Sequence, residues 1–181
     1  HLGRAGTEPE LAASYLARLY LSARTHSWFR GLWWYDFQDD GWNPVGNEDN
    51  FGIVRPDLTP KLAYHALADI ADIVTNGSFT GKIAAPDTAL TVLAFDTGGR
   101  TVWALWSRDD RDRQVILRTQ KPGKSLTVRT CGRNPVEKSW GYRAWFTGRS
   151  AELVPGQMSL TVGARPVLVS GDLAGVSVEE V

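Results

Sequence analysis

The sequence has a single cysteine, Cys131, among its 181 residues, and only three histidines. A lone cysteine cannot form an internal disulfide, and there is no cysteine–histidine cluster, which argues against a disulfide scaffold or a zinc module. The 20 basic and 20 acidic side chains cancel, whereas nucleic-acid and anionic-membrane binding need clustered positive charge. No apolar run approaches about 18 residues, so we predict no membrane span.

Two common catalytic signatures are also missing. The sequence has no Gly-x-Ser-x-Gly elbow, the usual mark of a serine hydrolase. Gly123-Lys124-Ser125 is similar to the end of a phosphate-binding loop, but Arg118 occupies the place of the first glycine. We therefore predict no metal, no nucleotide and no other cofactor.

The chain changes character near its middle. Acidic side chains outnumber basic ones in residues 1–76, and the balance reverses afterwards. Helical patterns dominate the first part, and short β-type runs dominate the second. This switch predicts two domains, residues 1–77 and 78–181, with a boundary near Asn76-Gly77-Ser78.

The first part has the pattern helix, strand, loop, helix. Thr7-Glu8-Pro9-Glu10 is typical of a helix start, and apolar residues at helical spacing extend the helix to residue 24. Residues 29–37 are short, aromatic and almost without polar alternation, which predicts a strand buried on both faces of a parallel sheet. Residues 38–58 form a long loop, a kind that is more often functional than filler. A second helix is predicted over residues 59–74.

Two further features of this part matter. Thr59-Pro60 is typical of a helix start, and Asn76-Gly77 is typical of a helix end. The predicted strand needs parallel neighbours, which the rest of the sequence does not supply, because its strands look antiparallel. We infer that the chain is the C-terminal part of a larger protein.

The second part has the rhythm of an antiparallel sandwich. Strand-sized runs alternate with turns rich in Gly, Pro and Asp, and Thr97-Gly98-Gly99-Arg100 predicts a tight hairpin. The predicted strands are residues 89–96, 101–107, 114–119, 125–130, 142–146, 151–154, 158–162 and 167–169.

The candidate site lies at the end of the predicted strand. Sugar sites combine flat aromatic rings with carboxylates or amides that accept hydroxyl hydrogens, and ligands of parallel α/β folds sit at the carboxyl ends of strands. The candidates are Trp34, Tyr35, Asp36, Asp39 and Trp42. On a strand, Trp34 and Asp36 share one face, while Trp33, Tyr35 and Phe37 share the other.

Simpler interpretations of the same residues remain open. All the aromatic rings could be core, with the acidic residues solvating the loop. Asp39-Asp40 could be a catalytic pair, but neighbours in a chain rarely face the same ligand. The three scattered histidines lack metal-site spacing, so ordinary structural roles are their default.

Four motifs together resemble a known family. They are Trp34-Tyr35-Asp36-Phe37, Asp39-Asp40-Gly41, Asn50-Phe51-Gly52-Ile53-Val54 and Thr59-Pro60-Lys61-Leu62-Ala63-Tyr64. The series resembles the last strand, loop and helix of clan A glycoside hydrolases, which are (β/α)8 barrels. It is most similar to family 39, which includes bacterial glycosidases that cut biofilm exopolysaccharide. Leu62 departs from that family's pattern, where a second proline often stands.

The resemblance covers most of residues 7–171. Many such proteins carry a β-sandwich after the barrel, with motifs similar to Leu93-Ala94-Phe95, to the run from Val102 to Ser107 and to the run from Arg165 to Gly171. It implies an α/β plus all-β fold class: the last βα elements of a (β/α)8 TIM barrel, followed by an antiparallel β-sandwich. Residues 7–24, 29–37 and 59–74 would be helix seven, strand eight and helix eight.

The resemblance also bears on catalysis. Retaining enzymes of this clan use two glutamates, with carboxyl groups about 5–5.5 Å apart. Both would lie upstream of His1, so we expect no catalytic residue in this chain and no activity from the chain alone. Glu8 and Glu10 belong to a helix cap and Glu48 to a loop, so none replaces them. His1 is expected near the cleft.

The implied function is the C-terminal portion of a retaining glycoside hydrolase acting on a polysaccharide, such as a biofilm exopolysaccharide. Trp34 resembles the strand-eight tryptophan that floors the subsite beside the cleaved bond, with Tyr35, Asp36, Asp39 and Trp42 as further contacts. The expected partners are the polysaccharide and the N-terminal barrel portion, with no nucleic acid. We expect a secreted or periplasmic bacterial protein.

An alternative is a non-catalytic carbohydrate-binding or adaptor protein built on the sandwich. For residues 78–181 we favour a structural accessory role even if the enzyme hypothesis holds. The reason is that tryptophans on sandwich strands more often fill the core than bind sugar. Those tryptophans are Trp103, Trp106, Trp140 and Trp145.

Overall fold

The computed structural model describes residues 8–46, 48–119, 125–132, 149–152 and 156–180. These residues form two α-helices and nine β-strands, arranged in three layers. A pair of helices covers one face of a six-stranded sheet, and a three-stranded sheet covers the other face. Neither helix in the described ranges has the length and apolar character that a membrane span requires.

The two helices confirm the helical periodicity of the first part. Helix α1 is Pro9–Ala23 and helix α2 is Leu62–Asn76. Helix α2 begins three residues later than predicted from Thr59-Pro60. Pro60 forms a bridge with Val54, and the Lys61 N–H donates to the Ile53 carbonyl at 3.0 Å. This pairing holds both residues extended, so the helix can start only after them.

The larger sheet is antiparallel throughout, and its spatial order is β1-β2-β3-β8-β5-β6. Its strands, in chain order, are β1 (Ser78–Lys82), β2 (Leu90–Asp96), β3 (Thr101–Ser107), β5 (Ser125–Thr130), β6 (Arg149–Glu152) and β8 (Val167–Gly171). The predicted hairpin joins β2 to β3. Its turn needs Gly98 and Gly99, because both have positive φ, at 67° and 84°.

The smaller sheet is also antiparallel, with the order β7-β4-β9. Its strands are β4 (Arg113–Thr119), β7 (Gln157–Val162) and β9 (Val176–Glu180). A continuous apolar cluster joins the inner faces of the two sheets. It includes Trp103 from β3, Leu117 from β4 and Val178 from β9. The two sheets therefore form the predicted sandwich.

The helices share a second cluster with the outer face of the larger sheet. Leu21 of α1 and Ile70 of α2 pack in one group with Phe95, Trp106 and other buried side chains of the sheet. The boundary near residues 76–78 thus marks the change from helix to strand, while the core continues across it. Trp103 and Trp106 fill cores, as predicted, whereas Trp140 and Trp145 lie outside the described residues.

The structure does not form the buried strand that we predicted over residues 29–37. This segment is irregular, and just after it Gln38 forms an isolated parallel bridge with Val54. Trp33 is 87% exposed. A strand needs hydrogen-bonding neighbours on its edges, and no described strand lies beside this segment to supply them.

The other strand predictions are confirmed within one or two residues, except residues 142–146, which lie outside the described residues. Two strands were missed. Strand β1 has Phe79 as its single large apolar residue, and its pairing with β2 shifts register between Phe79 and Gly81. Strand β9 is short and near the end of the chain.

Candidate functional site

The aromatic segment before the long loop alternates in exposure. Trp33, Tyr35 and Phe37 are exposed, and Tyr35 remains 66% accessible. Trp34 and Asp36 are partly buried between them. The alternation has the period of extended backbone, so Trp34 and Asp36 face the protein while the other three rings face outward. The peptide bond between Tyr35 and Asp36 is cis.

Backbone hydrogen bonds tie this segment to the far end of the loop. The Asp36 N–H donates to the Phe51 carbonyl at 3.0 Å, and the Ile53 N–H donates to the Phe37 carbonyl at 3.0 Å. The Asp39 N–H in turn donates to the Val54 carbonyl at 3.0 Å. The loop therefore closes on itself, and its two ends run side by side.

The position of Trp34 is set by one polar contact and one apolar contact surface. Its indole Nε1–H donates to the Phe51 carbonyl at 3.3 Å. Its ring packs against a small cluster that contains Leu16, Ile53 and Ala63. The indole is thus anchored along one edge and stays partly exposed, an arrangement suited to stacking against a flat apolar partner.

Asp36 and Asp39 differ in what they can offer a ligand. The Asp36 carboxylate accepts the N–H of Phe37 and is only partly buried. Asp39 is 8% exposed, and Lys61 Nζ lies 2.8 and 3.0 Å from its two carboxylate oxygens. Its Oδ1 also accepts the Gly52 N–H at 2.8 Å. Protein groups therefore engage both oxygens of Asp39, which we had predicted as a sugar contact.

Asp39 and Asp40 do not converge on one point. Asp39 is buried beneath the loop, whereas Asp40 is exposed. Neighbouring residues of extended backbone point to opposite sides, so the two carboxylates cannot act as a pair. Glu48 belongs to a short 3-10 helix, Glu48–Asn50.

Trp42 stands on the outer part of the loop and is 64% exposed. The turn beside it is held by side-chain contacts. The Asn43 N–H donates to Asp49 Oδ2 at 3.0 Å, and Asn50 Nδ2 donates to the carbonyls of Asn43 and Gly46, both at 2.8 Å. These contacts fix the backbone beside Trp42, whose ring remains exposed.

The site is electrostatically negative. The nearby carboxylates of Asp40 and Asp36 raise the pKa of the Tyr35 hydroxyl above its ordinary value, with smaller contributions from burial and Glu48. A negative potential favours the protonated phenol. Tyr35 thus keeps its O–H as a donor, while the carboxylates provide acceptors for hydroxyl groups.

Sequence reasoning missed two residues that shape the site. Lys61 supplies the ammonium that Asp39 binds, and Gly52 allows the backbone to approach Gln38 and Asp39 so closely that a Cβ would overlap them. Both residues belong to the motifs that carry the family resemblance, and this was the sequence signal that could have identified them. Across the described residues, no group of three or more His, Cys, Asp or Glu side chains could hold a metal ion. His1 lies outside the described residues.

Comparison with solved structures gives matches over most of the chain. A family 39 glycoside hydrolase from the gut symbiont Bacteroides cellulosilyticus WH2 is similar with a TM-score of 0.65 and 28% identity, over 88% of this chain and 30% of that chain. A GH30 endoxylanase from Clostridium papyrosolvens C71 gives a TM-score of 0.51 and 11% identity, over 98% of this chain and 41% of that chain. The second likeness concerns the fold alone.

No protein-family profile and no curated protein sequence matches the chain. The two structural neighbours both belong to clan A of the glycoside hydrolases. The chain spans only 30% of the length of the family 39 enzyme. The chain is therefore similar, in structure and in sequence, to part of a family 39 glycoside hydrolase.

Proposed function

We propose that this chain supplies part of the sugar-binding cleft of a retaining glycoside hydrolase that acts on a polysaccharide. The observation that carries the proposal is the placement of Trp34, whose indole is anchored on the Phe51 carbonyl while the residue stays partly exposed, two positions before the partly exposed Asp36. The similarity to a family 39 enzyme supports the reaction class. A biofilm exopolysaccharide is the substrate that the family resemblance favours.

Each exposed group has a role in this proposal. Trp34 forms the floor against which a sugar ring stacks, and Trp42 provides a second aromatic surface on the loop. Asp36 and the Tyr35 hydroxyl bind sugar hydroxyls, as acceptor and donor. Contacts of this kind accelerate cleavage when they hold the distorted sugar near its transition state.

We propose that the two catalytic glutamates are not part of this 181-residue chain. The outward-facing rings of Trp33 and Phe37 support this view, because large exposed apolar patches usually mark an interaction surface. The remaining barrel strands would cover much of that surface and give the aromatic segment its parallel neighbours. The complete protein is then a secreted or periplasmic bacterial enzyme, and this chain alone is inactive.

The test compares the polypeptide expressed from the whole gene with the 181-residue chain. Reducing-sugar release is measured from xylan, cellulose and bacterial exopolysaccharide, and the anomeric form of the first product is read by proton NMR. We expect release by the longer polypeptide only, with retention of configuration. Hydrolysis by the 181-residue chain, or inversion, would contradict the proposal.

A pair of tryptophan variants tests the cleft itself. Trp34→Ala in the longer polypeptide should reduce turnover strongly, because the stacking surface is lost. Trp28→Ala is the control, since Trp28 belongs to the same aromatic segment, is exposed, and packs against the rings of His26 and Phe29. Equal turnover in the two variants would remove Trp34 from the site. Sugar binding without any hydrolysis by the longer polypeptide would favour a carbohydrate-binding protein instead.

A further inference from the structure

An ion pair links the first residues of the loop to the start of α2. Lys61 Nζ donates to both carboxylate oxygens of Asp39, at 2.8 and 3.0 Å, and to the Asn50 carbonyl at 3.1 Å. The Asp39 side chain is 6% exposed and the Lys61 side chain 22% exposed. The ammonium thus joins the start of α2 to both ends of the loop.

A continuous series of hydrogen bonds runs from this pair to the candidate site. Asp39 Oδ1 accepts the Gly52 N–H at 2.8 Å. The peptide bond before Gly52 belongs to Phe51, whose carbonyl accepts both the Trp34 indole N–H and the Asp36 N–H. The orientation of that one peptide group therefore depends on Asp39 and determines where Trp34 and Asp36 lie.

The charge of Lys61 is what holds Asp39 in this place. A carboxylate with so little exposure is costly to bury unless a cation and several donors compensate it. Without the ammonium, Asp39 would gain free energy by turning toward water, and it would release the Gly52 N–H. The loop segment that ends at Phe51 would then lose its register against the aromatic segment.

We propose that the Lys61–Asp39 ion pair positions Trp34 and Asp36 for sugar binding without touching the sugar. Lys61 and Asp39 are positioning residues, and they act through the Gly52 N–H and the Phe51 carbonyl. The predicted effect on sugar affinity rests on the proposed function. The link from Lys61 to Trp34 rests only on the hydrogen bonds described above.

The experiment measures the positional link and its effect on sugar binding separately. Trp34 is identified in the proton–nitrogen spectrum of the 181-residue chain as the indole resonance that a Trp34→Phe variant loses. The same spectrum is recorded for Lys61→Met, Lys61→Arg and Lys82→Met. Lys82 is the matched control, because it is an exposed lysine on the edge strand β1. Xylohexaose and cellohexaose affinities are measured by calorimetry on the polypeptide expressed from the whole gene.

In Lys61→Met we expect the Trp34 indole and the Gly52 amide resonances to shift or broaden, and the hexasaccharide Kd to rise about tenfold, the loss of roughly one hydrogen bond. Lys61→Arg, which keeps the charge, should restore most of both. Lys82→Met should change neither.

The opposite results overturn the proposal. If Lys61→Met lowers the melting temperature but leaves the Trp34 resonance and the Kd unchanged, the pair is a stabilising contact and not a positioning one. If the unsubstituted polypeptide binds neither the hexasaccharides nor bacterial exopolysaccharide while the resonances still shift, the positional link stands for the loop and the proposed sugar site is what fails.

Discussion

The indole Nε1 of Trp34 lies 3.3 Å from the carbonyl oxygen of Phe51, seventeen residues along the chain. The same carbonyl also accepts the Asp36 N–H at 3.0 Å. One peptide group at the end of the loop therefore anchors two candidate binding residues at its beginning. Changes within the loop should reach Trp34 even where they lie far from it in sequence.

The first prediction concerns Gly52→Ala. The added Cβ would overlap the backbone of Gln38 and Asp39, which cannot move without breaking the loop closure. We expect a loss of stability of about 1–3 kcal/mol, the usual cost of overpacking, and a displaced Trp34 indole. Denaturant unfolding and the indole resonance measure the two effects.

Gly31→Ala is the control for this change. There the Cβ would meet the ring of Trp33, an exposed side chain that can rotate away. A Gly31→Ala chain should therefore unfold at nearly the same denaturant concentration as the unsubstituted chain. If both glycine variants behave alike, the close approach at Gly52 is not what the loop requires.

The second prediction compares a buried tryptophan with an exposed one. Trp106 is 4% exposed and packs in the cluster shared by the helices and the larger sheet. Trp106→Ala should lower the free energy of unfolding by about 3–5 kcal/mol, because it removes buried surface and leaves a cavity. Trp33→Ala, in the same chain, should lower it by much less. The idea that Trp106 is structural fails if its variant weakens sugar binding at an unchanged melting temperature.

The third prediction concerns pH and the lone thiol. Full burial raises the pKa of the Cys131 thiol well above its ordinary value of 9.0. The folded state therefore keeps the proton over a range in which the unfolded chain loses it. The contribution of this thiol to the free energy of unfolding is fully present below about pH 9. Above that pH the contribution is lost, by about 1.4 kcal/mol per pH unit for one proton.

Cys131→Ala removes the thiol, and with it the difference in bound protons between the folded and unfolded states. Its melting temperature should decline less steeply above pH 9 than that of the unsubstituted chain, after allowance for the lower starting stability. The native thiol should also react with a maleimide only after unfolding, because a buried thiol is inert. Rapid labelling of the native chain at neutral pH would show that Cys131 is accessible.

The fourth prediction concerns the charge around Tyr35. Asp40 is the largest cause of the raised pKa of its hydroxyl. Asp40→Asn should therefore lower the pKa of Tyr35 toward its ordinary value, because one carboxylate no longer opposes the phenolate. Carbon NMR of the tyrosine rings during a pH titration measures this directly. An unchanged pKa after the substitution would mean that Asp40 does not face the ring.

The sequence predicted the elements that depend on local pattern. Helical spacing located α1 and α2, because one face of each helix packs against a common core. The paired glycines of Thr97-Gly98-Gly99-Arg100 predicted the hairpin, because the turn needs positive φ at both. Strand β9 could also have been found from its local pattern. Val176 and Val178 alternate with polar residues, and these two valines are the buried ones.

The features that the sequence could not predict depend on contacts between residues far apart in the chain. Residues 29–37 have the composition of a buried strand, but their backbone has no described strand to pair with. Lys61 was overlooked because a lysine at a helix start usually points into water, and nothing local indicates that a carboxylate 22 residues away needs it. The aromatic and acidic character of the site was evident, whereas the difference between the partly exposed Asp36 and the buried Asp39 needed the fold.

The larger sheet is covered on both faces, by the helix pair on one side and by the smaller sheet on the other. Such a sheet cannot be transplanted as an independent module. Cutting the gene after residue 77 would expose Phe95 and Trp106 to water, and the excised sandwich would tend to aggregate. Removing the two helices should therefore destabilise the sheet that they cover, although the change from helix to strand near residue 77 looks like a natural place to divide the chain.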